Sequence, residues 1–344
     1  MRISLVIGSL EAGGAERVMS IMANCWAASG NEISLVTISS ANGDWYPLNP
    51  TVNRIALSLA SPSRHTYNAL WNNVRRVAKL RRVLRTTKPD VVISFLDTTN
   101  VLALLAGMGL GIPVIVSERV DPHQHPIERA WDRMRSWLYC YAKAVVVQTD
   151  SIREWAERFV PSRAISVIPN PVRQFNIVDN TSRYPGIAPT VVAMGRLTRQ
   201  KGFDLLIKAF AQCAERHCDW SLVILGEGEE RARLETMVAE FGLKDRVSLP
   251  GIMQNPERLL SQAELFVLSS RYEGFPNALL EAMACGIAVI ATDCPSGPRD
   301  IIRHGIDGLL VPREDVQALS DALNCLMGDP HSRRRLGQPC RHRP

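Results

Sequence analysis

Two carboxylates eight residues apart, Glu273 and Glu281, bracket a proline in the stretch Ser269-Ser270-Arg271-Tyr272-Glu273-Gly274-Phe275-Pro276-Asn277-Ala278-Leu279-Leu280-Glu281. The run just before it, Leu265-Phe266-Val267-Leu268, is wholly apolar and predicts a buried parallel strand. Pro276 stands where a first helical turn would begin, and Ala278 to Ala284 are good helix formers. On a single helix the two acids would point about 80° apart. With Glu273 in the loop and Glu281 near the second turn, both can face one elongated ligand. Between them a helix N-terminus offers N–H groups without intrahelical acceptors and a partial positive charge, which suits a diphosphate. Acids at both ends for hydroxyls, with an anion site between, describe a nucleotide sugar. An ordinary strand–turn–helix with two solvated glutamates would carry the same letters.

Further candidates fall at other strand exits. Gly195-Arg196-Leu197-Thr198-Arg199-Gln200-Lys201-Gly202 follows the apolar Thr190–Met194 and places Arg196 and Lys201 five residues apart. Two such cations can converge on one anionic group, arginine as a fork and lysine as a point charge. Gly226, in Leu225-Gly226-Glu227-Gly228, marks a turn that borders a base or ribose or is simply tight. Near the N-terminus, Arg2–Ile7 reads as a strand, and Gly13-Gly14 in the loop behind it would let a ligand approach the backbone without a Cβ in the way. This loop is not G-x-G-x-x-G, so no dinucleotide fingerprint is present. Glu118, Arg119 and His123 lie in a polar loop after Val114–Ser117, at a strand's carboxyl end, and are candidates for contact with an acceptor or donor.

The elements that would position these groups alternate. Strands are expected at Ile33–Ile38, Val91–Phe95, Val114–Ser117, Ala144–Gln148 and Ile165–Ile168, with helical patterns between them. After a connector at 172–189, rich in Asn, Pro and Gly, the alternation resumes at Thr190–Met194, Ser221–Leu225, Arg246–Leu249, Glu264–Leu268, Ala288–Ala291 and Gly308–Val311. This predicts an α/β protein of two doubly wound domains, residues 1–171 and 190–330, followed by an atypical tail at 331–344. A chain of 344 residues with 46% apolar and 22% charged residues has the length and composition for two soluble cores. The charge-free Thr98 to Ser117 is broken by Gly107, Gly109, Gly111 and Pro113, so it reads as a buried helix and a strand rather than a membrane span.

Charge is uneven: residues 1–180 carry a net +6, whereas 181–330 carry −5. Much of the excess lies between Arg75 and Lys88, where Arg75, Arg76, Lys79, Arg81, Arg82, Arg85 and Lys88 occur with no acid. Val74, Val77, Leu80 and Leu84 add an apolar stripe. The segment reads either as a helix lying on an anionic membrane surface or as a solvated face over a packed stripe. No nucleic-acid recognition motif accompanies it, and no nucleic-acid partner is expected. The eight cysteines show no metal spacing and predict buried, reduced thiols in a cytoplasmic protein; no metal or other cofactor is expected.

With the Gly-Gly loop, G-R-L-x-x-x-K-G and E-G-F-P-x-x-x-x-E in this order, the chain resembles the retaining glycosyltransferases of family 4. The resemblance covers residues 1 to 338. It implies the GT-B fold, two Rossmann-like domains facing across a cleft, and transfer of a hexose or N-acetylhexosamine from a nucleotide sugar, UDP-linked, to a growing glycan. It further implies that Arg196 and Lys201, beside Gly195, hold the donor diphosphate. Glu273 would face the sugar hydroxyls and Glu281 the ribose. Backbone N–H groups from Phe275 through Pro276, Asn277 and Ala278 to Leu279 would meet sugar and phosphate, although proline itself has none. Gly13, Gly14 and Gly226 would border the donor. Relatives acting on undecaprenyl-diphosphate-linked oligosaccharides place a similar first domain on the inner face of the plasma membrane, which gives the basic helix a purpose. A UDP-sugar epimerase of the same fold, or a non-catalytic nucleotide-sugar-binding protein, are the rival readings. The chain departs from the pattern twice. Glu118-Arg119 stands where many relatives have histidine. The close Leu336-Gly337-Gln338-Pro339-Cys340-Arg341-His342-Arg343-Pro344 replaces a last helix, as a shortened reading frame would.

Overall fold

The computed structural model describes residues 1–59, 66–171 and 188–337. The expected connector falls almost wholly outside them, as do residues 338–344 of the expected tail. The chain divides into two compact units, Met1–Asn170 and Pro171–Pro344.

Unit 1 runs β1 (Arg2–Ile7), α1 (Gly14–Ala28), β2 (Glu32–Thr37), β3 (Asn53–Ala56), α2 (Thr66–Thr87), β4 (Val91–Phe95), α3 (Asp97–Gly107), β5 (Val114–Ser117), α4 (Arg129–Leu138), β6 (Ala144–Val147), α5 (Asp150–Ala156) and β7 (Ile165–Val167). The strands are parallel, in the order β3-β2-β1-β4-β5-β6-β7. Unit 2 runs β8 (Thr190–Met194), α6 (Phe203–Ala214), β9 (Ser221–Leu225), α7 (Arg231–Glu240), β10 (Val247–Gly251), α8 (Pro256–Leu260), β11 (Leu265–Leu268), α9 (Asn277–Ala284), β12 (Ala288–Thr292), α10 (Pro298–Ile301), β13 (Leu309–Val311), α11 (Val316–Gly328) and α12 (Pro330–Leu336). Its parallel order is β10-β9-β8-β11-β12-β13. In each sheet the winding reverses once, between β1 and β4 and between β8 and β11. Such a reversal opens a crevice at the carboxyl ends of the two strands.

The strands form where branched and aromatic side chains can be covered from both faces. Every residue of β11 and β12 is buried. The edge strand β3, Asn-Arg-Ile-Ala, is a strand that its sequence does not announce. It is short, no residue in it is fully buried, and its Arg54 is taken up by both oxygens of Asp44 at 2.8 Å. The segment weighed as a membrane span is α3 followed by β5, and no helix among the described residues is long and apolar enough to cross a membrane.

Two expectations need correction. Among the described cysteines only Cys213, Cys285 and Cys294 are buried, whereas Cys25, Cys140, Cys218 and Cys325 sit on outward faces of helices and turns. The basic run on α2 is likewise not one solvated face. Arg76 donates to the Leu59 carbonyl at 3.1 Å and Lys79 to the Leu57 carbonyl at 2.6 Å. Arg81 reaches the carbonyls of Ala106 (3.0 Å) and Met108 (2.5 Å). These three cations fasten α2 to its surroundings. Leu80 and Leu84 pack inward, but Val74, expected in the packed stripe, is exposed beside Trp71. At the other end of the chain, α12 belongs to the core of unit 2: Leu336 is buried and Arg333 pairs with Glu264 at 3.1 Å.

Candidate functional site

The loops that leave β8 and β11 meet at the switch point of the second sheet. A short 3-10 turn, Arg199–Lys201, ends at Gly202, whose φ of 62° is left-handed. A Cβ at Gly202 would run into the Ser269 carbonyl oxygen, so the two loops lie backbone against backbone here. Hydrogen bonds join them: Ser269 Oγ to the Lys201 carbonyl (2.9 Å), Arg271 N to the Gln200 carbonyl (2.8 Å), and Gln200 Nε2 to the Tyr272 carbonyl (3.0 Å). Beneath them Arg271 forks onto both oxygens of Asp204 at 2.9 Å and also binds the Arg199 carbonyl and Glu314. Burial works to raise the Asp204 carboxyl, but the Arg271 fork outweighs it and holds the group below its ordinary range.

This base positions Glu273. The residue is 6% exposed, and its Oε1 accepts from Lys201 Nζ at 2.5 Å and from Ser270 Oγ at 2.6 Å. Ser296 Oγ donates to the Glu273 carbonyl at 2.7 Å, and Thr292 Oγ1 to the Ser270 carbonyl at 2.5 Å. The Lys201 stem runs along Gly195, where a Cβ would sit 3.1 Å from Lys201 Cδ and Cε. Gly195 is therefore the space through which Lys201 reaches Glu273. Gly226 has a related task, because a Cβ there would strike the Gly195 carbonyl oxygen. Arg196 is exposed beside this pair, and its side chain has no hydrogen-bond or ion-pair partner among the described residues.

The helix α9 begins four residues beyond Glu273. Pro276 is its N-cap rather than its first residue and supplies no side-chain cap. The first turn tightens so that Leu279 N donates to the Pro276 carbonyl at 3.2 Å, which removes Leu279 from the amides expected to meet a ligand. Glu281 lies on the second turn, 5% exposed. Burial, followed by the charge of Glu281, pushes the Cys285 thiol up to about 11. Phe275, Asn277 and Ala278 are partly exposed at the helix entrance.

In unit 1, Gly13 is the N-cap of α1, in extended conformation, and accepts from Tyr46 Oη at 3.0 Å; Gly14 is the first helical residue. The trio Glu118, Arg119 and His123 does not converge. Glu118 turns inward to accept from Tyr139 Oη at 2.5 Å, with Arg135 Nη1 at 3.6 Å. Asn100 continues this chain to Ser94, at 2.9 and 2.7 Å. Burial raises the Glu118 carboxyl to about 7, against the pull of Arg135 and the Tyr139 hydroxyl. Arg119 stacks 3.7 Å over the Phe95 ring and donates to Asn170, and burial lowers its pKa to about 9. His123 is exposed. Among the described residues no group of three or more His, Cys, Asp or Glu could hold a metal ion. Ser270, Ser296 and Thr292 complete this hydrogen-bonded site, and only Ser270, three residues before Glu273, leaves a local signal in the sequence.

Two doubly wound sheets, the second with a lysine bonded to a fixed carboxylate at its switch point, define a Rossmann-like two-domain protein. Comparison with known proteins makes this specific. The family described as "Glycosyl transferase 4-like domain" matches residues 13–171, and that described as "Glycosyl transferases group 1" matches 179–343. A GalNAc-alpha-(1->4)-GalNAc-alpha-(1->3)-diNAcBac-PP-undecaprenol alpha-1,4-N-acetyl-D-galactosaminyltransferase of Campylobacter jejuni is 30% identical over 339 residues, covering 98% of this chain and 91% of the relative. A second C. jejuni protein, an N-acetylgalactosamine-N,N'-diacetylbacillosaminyl-diphospho-undecaprenol 4-alpha-N-acetylgalactosaminyltransferase, is 25% identical, covering 97% and 92%. Among solved structures, Anabaena HepE in complex with UDP superposes with a TM-score of 0.78 at 19% identity, covering 98% of this chain and 93% of that one. Sucrose-phosphate synthase from Thermosynechococcus elongatus does so with 0.79 at 24%, covering 98% and 92%. The chain belongs to the family 4 glycosyltransferases, and its fold is GT-B.

Proposed function

We propose that the protein is a retaining glycosyltransferase that moves a hexose or N-acetylhexosamine from a UDP-sugar to a growing glycan carried on polyprenyl diphosphate. The observation that carries this reading is the buried, fixed Glu273 paired with Lys201, with exposed Arg196 alongside and the start of α9 four residues on. In this reading Arg196 and Lys201 hold the diphosphate, Glu273 binds the sugar hydroxyls, and Glu281 binds the ribose. The acceptor hydroxyl attacks C1 from the face that the diphosphate leaves. As the C1–O bond to the diphosphate breaks, the leaving oxygen takes the acceptor's proton. Negative charge grows on the diphosphate in that step, and two cations and a helix N-terminus are the groups that stabilise it. No covalent nucleophile is required.

The two C. jejuni relatives, named for transfer onto undecaprenol-linked glycans, support the choice of acceptor. Helix α2 supports a peripheral position on the cytoplasmic face of the plasma membrane. Trp71, Val74, Arg75, Arg82 and Arg85 are exposed on it and, at 100° per residue, fall within about 100° of its circumference. The test is incubation of the purified protein with radiolabelled UDP-sugars and polyprenyl-diphosphate-linked sugars. Label entering the lipid fraction supports the proposal. A changed sugar without transfer indicates an epimerase, and binding without product indicates a binding protein.

A further inference from the structure

The site contains a contradiction in charge if each group is given one task. Glu273 is an anion, and in the proposed function a diphosphate must come to rest beside it. Lys201, assigned to that diphosphate, is already bonded to Glu273 at 2.5 Å. Two arrangements resolve this. Lys201 either leaves Glu273 when the diphosphate arrives, or serves both at once.

The structure favours the second arrangement. The Lys201 side chain is 18% exposed, its stem lies against Gly195, and its carbonyl is held by Ser269 Oγ at 2.9 Å. A stem confined in this way has little room to swing. An ammonium has three donors, and Glu273 Oε1 takes one of them. The stem passes Gly195 at the exit of β8, and the residue that follows Gly195 is the exposed cation Arg196. Ser270 Oγ binds the same Oε1 that Lys201 binds, at 2.6 Å, so both contacts fall on one carboxylate oxygen and Oε2 is left for the sugar.

We propose, building on the donor reading above, that Lys201 is a cation shared between Glu273 and the donor diphosphate. Glu273 then has two opposite effects on the diphosphate: it repels the anion directly and it aims Lys201 at it. Removing the lysine leaves only the repulsion.

A mutant cycle read by calorimetric titration with UDP tests this, using the full chain and the variants Lys201→Ala, Glu273→Gln and the double variant. Lys201→Ala should weaken UDP binding by about tenfold. Adding Glu273→Gln to Lys201→Ala should restore about threefold or more of that affinity, whereas Glu273→Gln alone should leave it within about twofold of wild type or lower it. Independent effects in the cycle overturn the proposal. So does a gain in affinity from Glu273→Gln that is larger with the lysine present than without it, the signature of a lysine that leaves Glu273. If Lys201→Ala melts early, Lys201→Met keeps the stem's packing and takes its place. Failure of the wild-type protein to bind UDP, GDP or ADP removes the donor reading and this inference with it, whereas binding with an additive cycle removes the inference alone.

Discussion

Replacing Glu118 by glutamine should change how the stability of unit 1 depends on pH. Glu118 is 2% exposed, and burial raises its carboxyl from 4.5 to about 7 despite Arg135 and the Tyr139 hydroxyl. A rise of that size corresponds to about 3 kcal/mol of differential stability. Below pH 4.5 the group carries its proton in both the folded and the unfolded chain, and its contribution is fully present. As pH rises toward 7 the unfolded chain releases the proton first, and that contribution is lost. Glu118→Gln keeps an oxygen for the Tyr139 hydroxyl and cannot ionise. Relative to wild type, the variant should therefore gain up to about 3 kcal/mol between pH 4.5 and 8. The assay is urea unfolding of both proteins across that range, followed by tryptophan fluorescence. Six of the seven tryptophans (Trp26, Trp45, Trp71, Trp131, Trp137 and Trp155) lie in unit 1, so the signal reports mainly on the unit that holds Glu118. A constant difference between variant and wild type would show that Glu118 titrates alike in the folded and unfolded chain, and the account of its burial would be wrong.

Three further outcomes are expected. Arg271→Met should lower the melting temperature, with about 3 kcal/mol lost by leaving Asp204 buried without its fork, and a second change of Asp204→Asn should recover part of it; an unaltered melting temperature would contradict the bracing role. Glu273→Gln should depress kcat far more than it raises the donor KM, because in the proposed function the carboxylate acts on the reacting sugar, and a change in KM alone would make it a simple binding residue. Replacing Arg75, Arg82 and Arg85 with glutamine should weaken binding to anionic vesicles by about 3 kcal/mol at low salt with stability unchanged, whereas replacing Arg76 and Arg81 should cost stability. Equal vesicle binding by the triple variant and wild type would assign those bases to a solvated face.

The groups most legible in the sequence are those whose meaning is local. A strand, a glycine turn and a helix start fall within a few residues of one another, so Arg196, Lys201, Glu273 and α9 stand out, and the central strands read as continuous apolar runs. Contacts from distant parts of the chain leave no such trace. Asp204 and Arg271 are 67 residues apart, and Ser296 reaches the Glu273 carbonyl from 23 residues away. The bond between Lys201 and Glu273 spans 72 residues, so the sequence assigns each to a ligand and neither to the other. Glu118 misleads for the same reason: after a strand it looks like a cleft residue, and Tyr139, 21 residues on, turns it inward. The bases of α2 look equivalent until the carbonyls of Leu57, Leu59 and Ala106 select three of them. Strand β3 is hidden because an edge strand of four residues needs little apolar sequence.

Retaining transfer from a nucleotide sugar is tested most directly by the anomeric configuration of the first product. Proton NMR of the product formed from a UDP-α-sugar and a polyprenyl-diphosphate-linked acceptor, recorded before half the donor is consumed, should show the α linkage. A β linkage would contradict front-face departure of the diphosphate and the roles given to Arg196, Lys201 and Glu273.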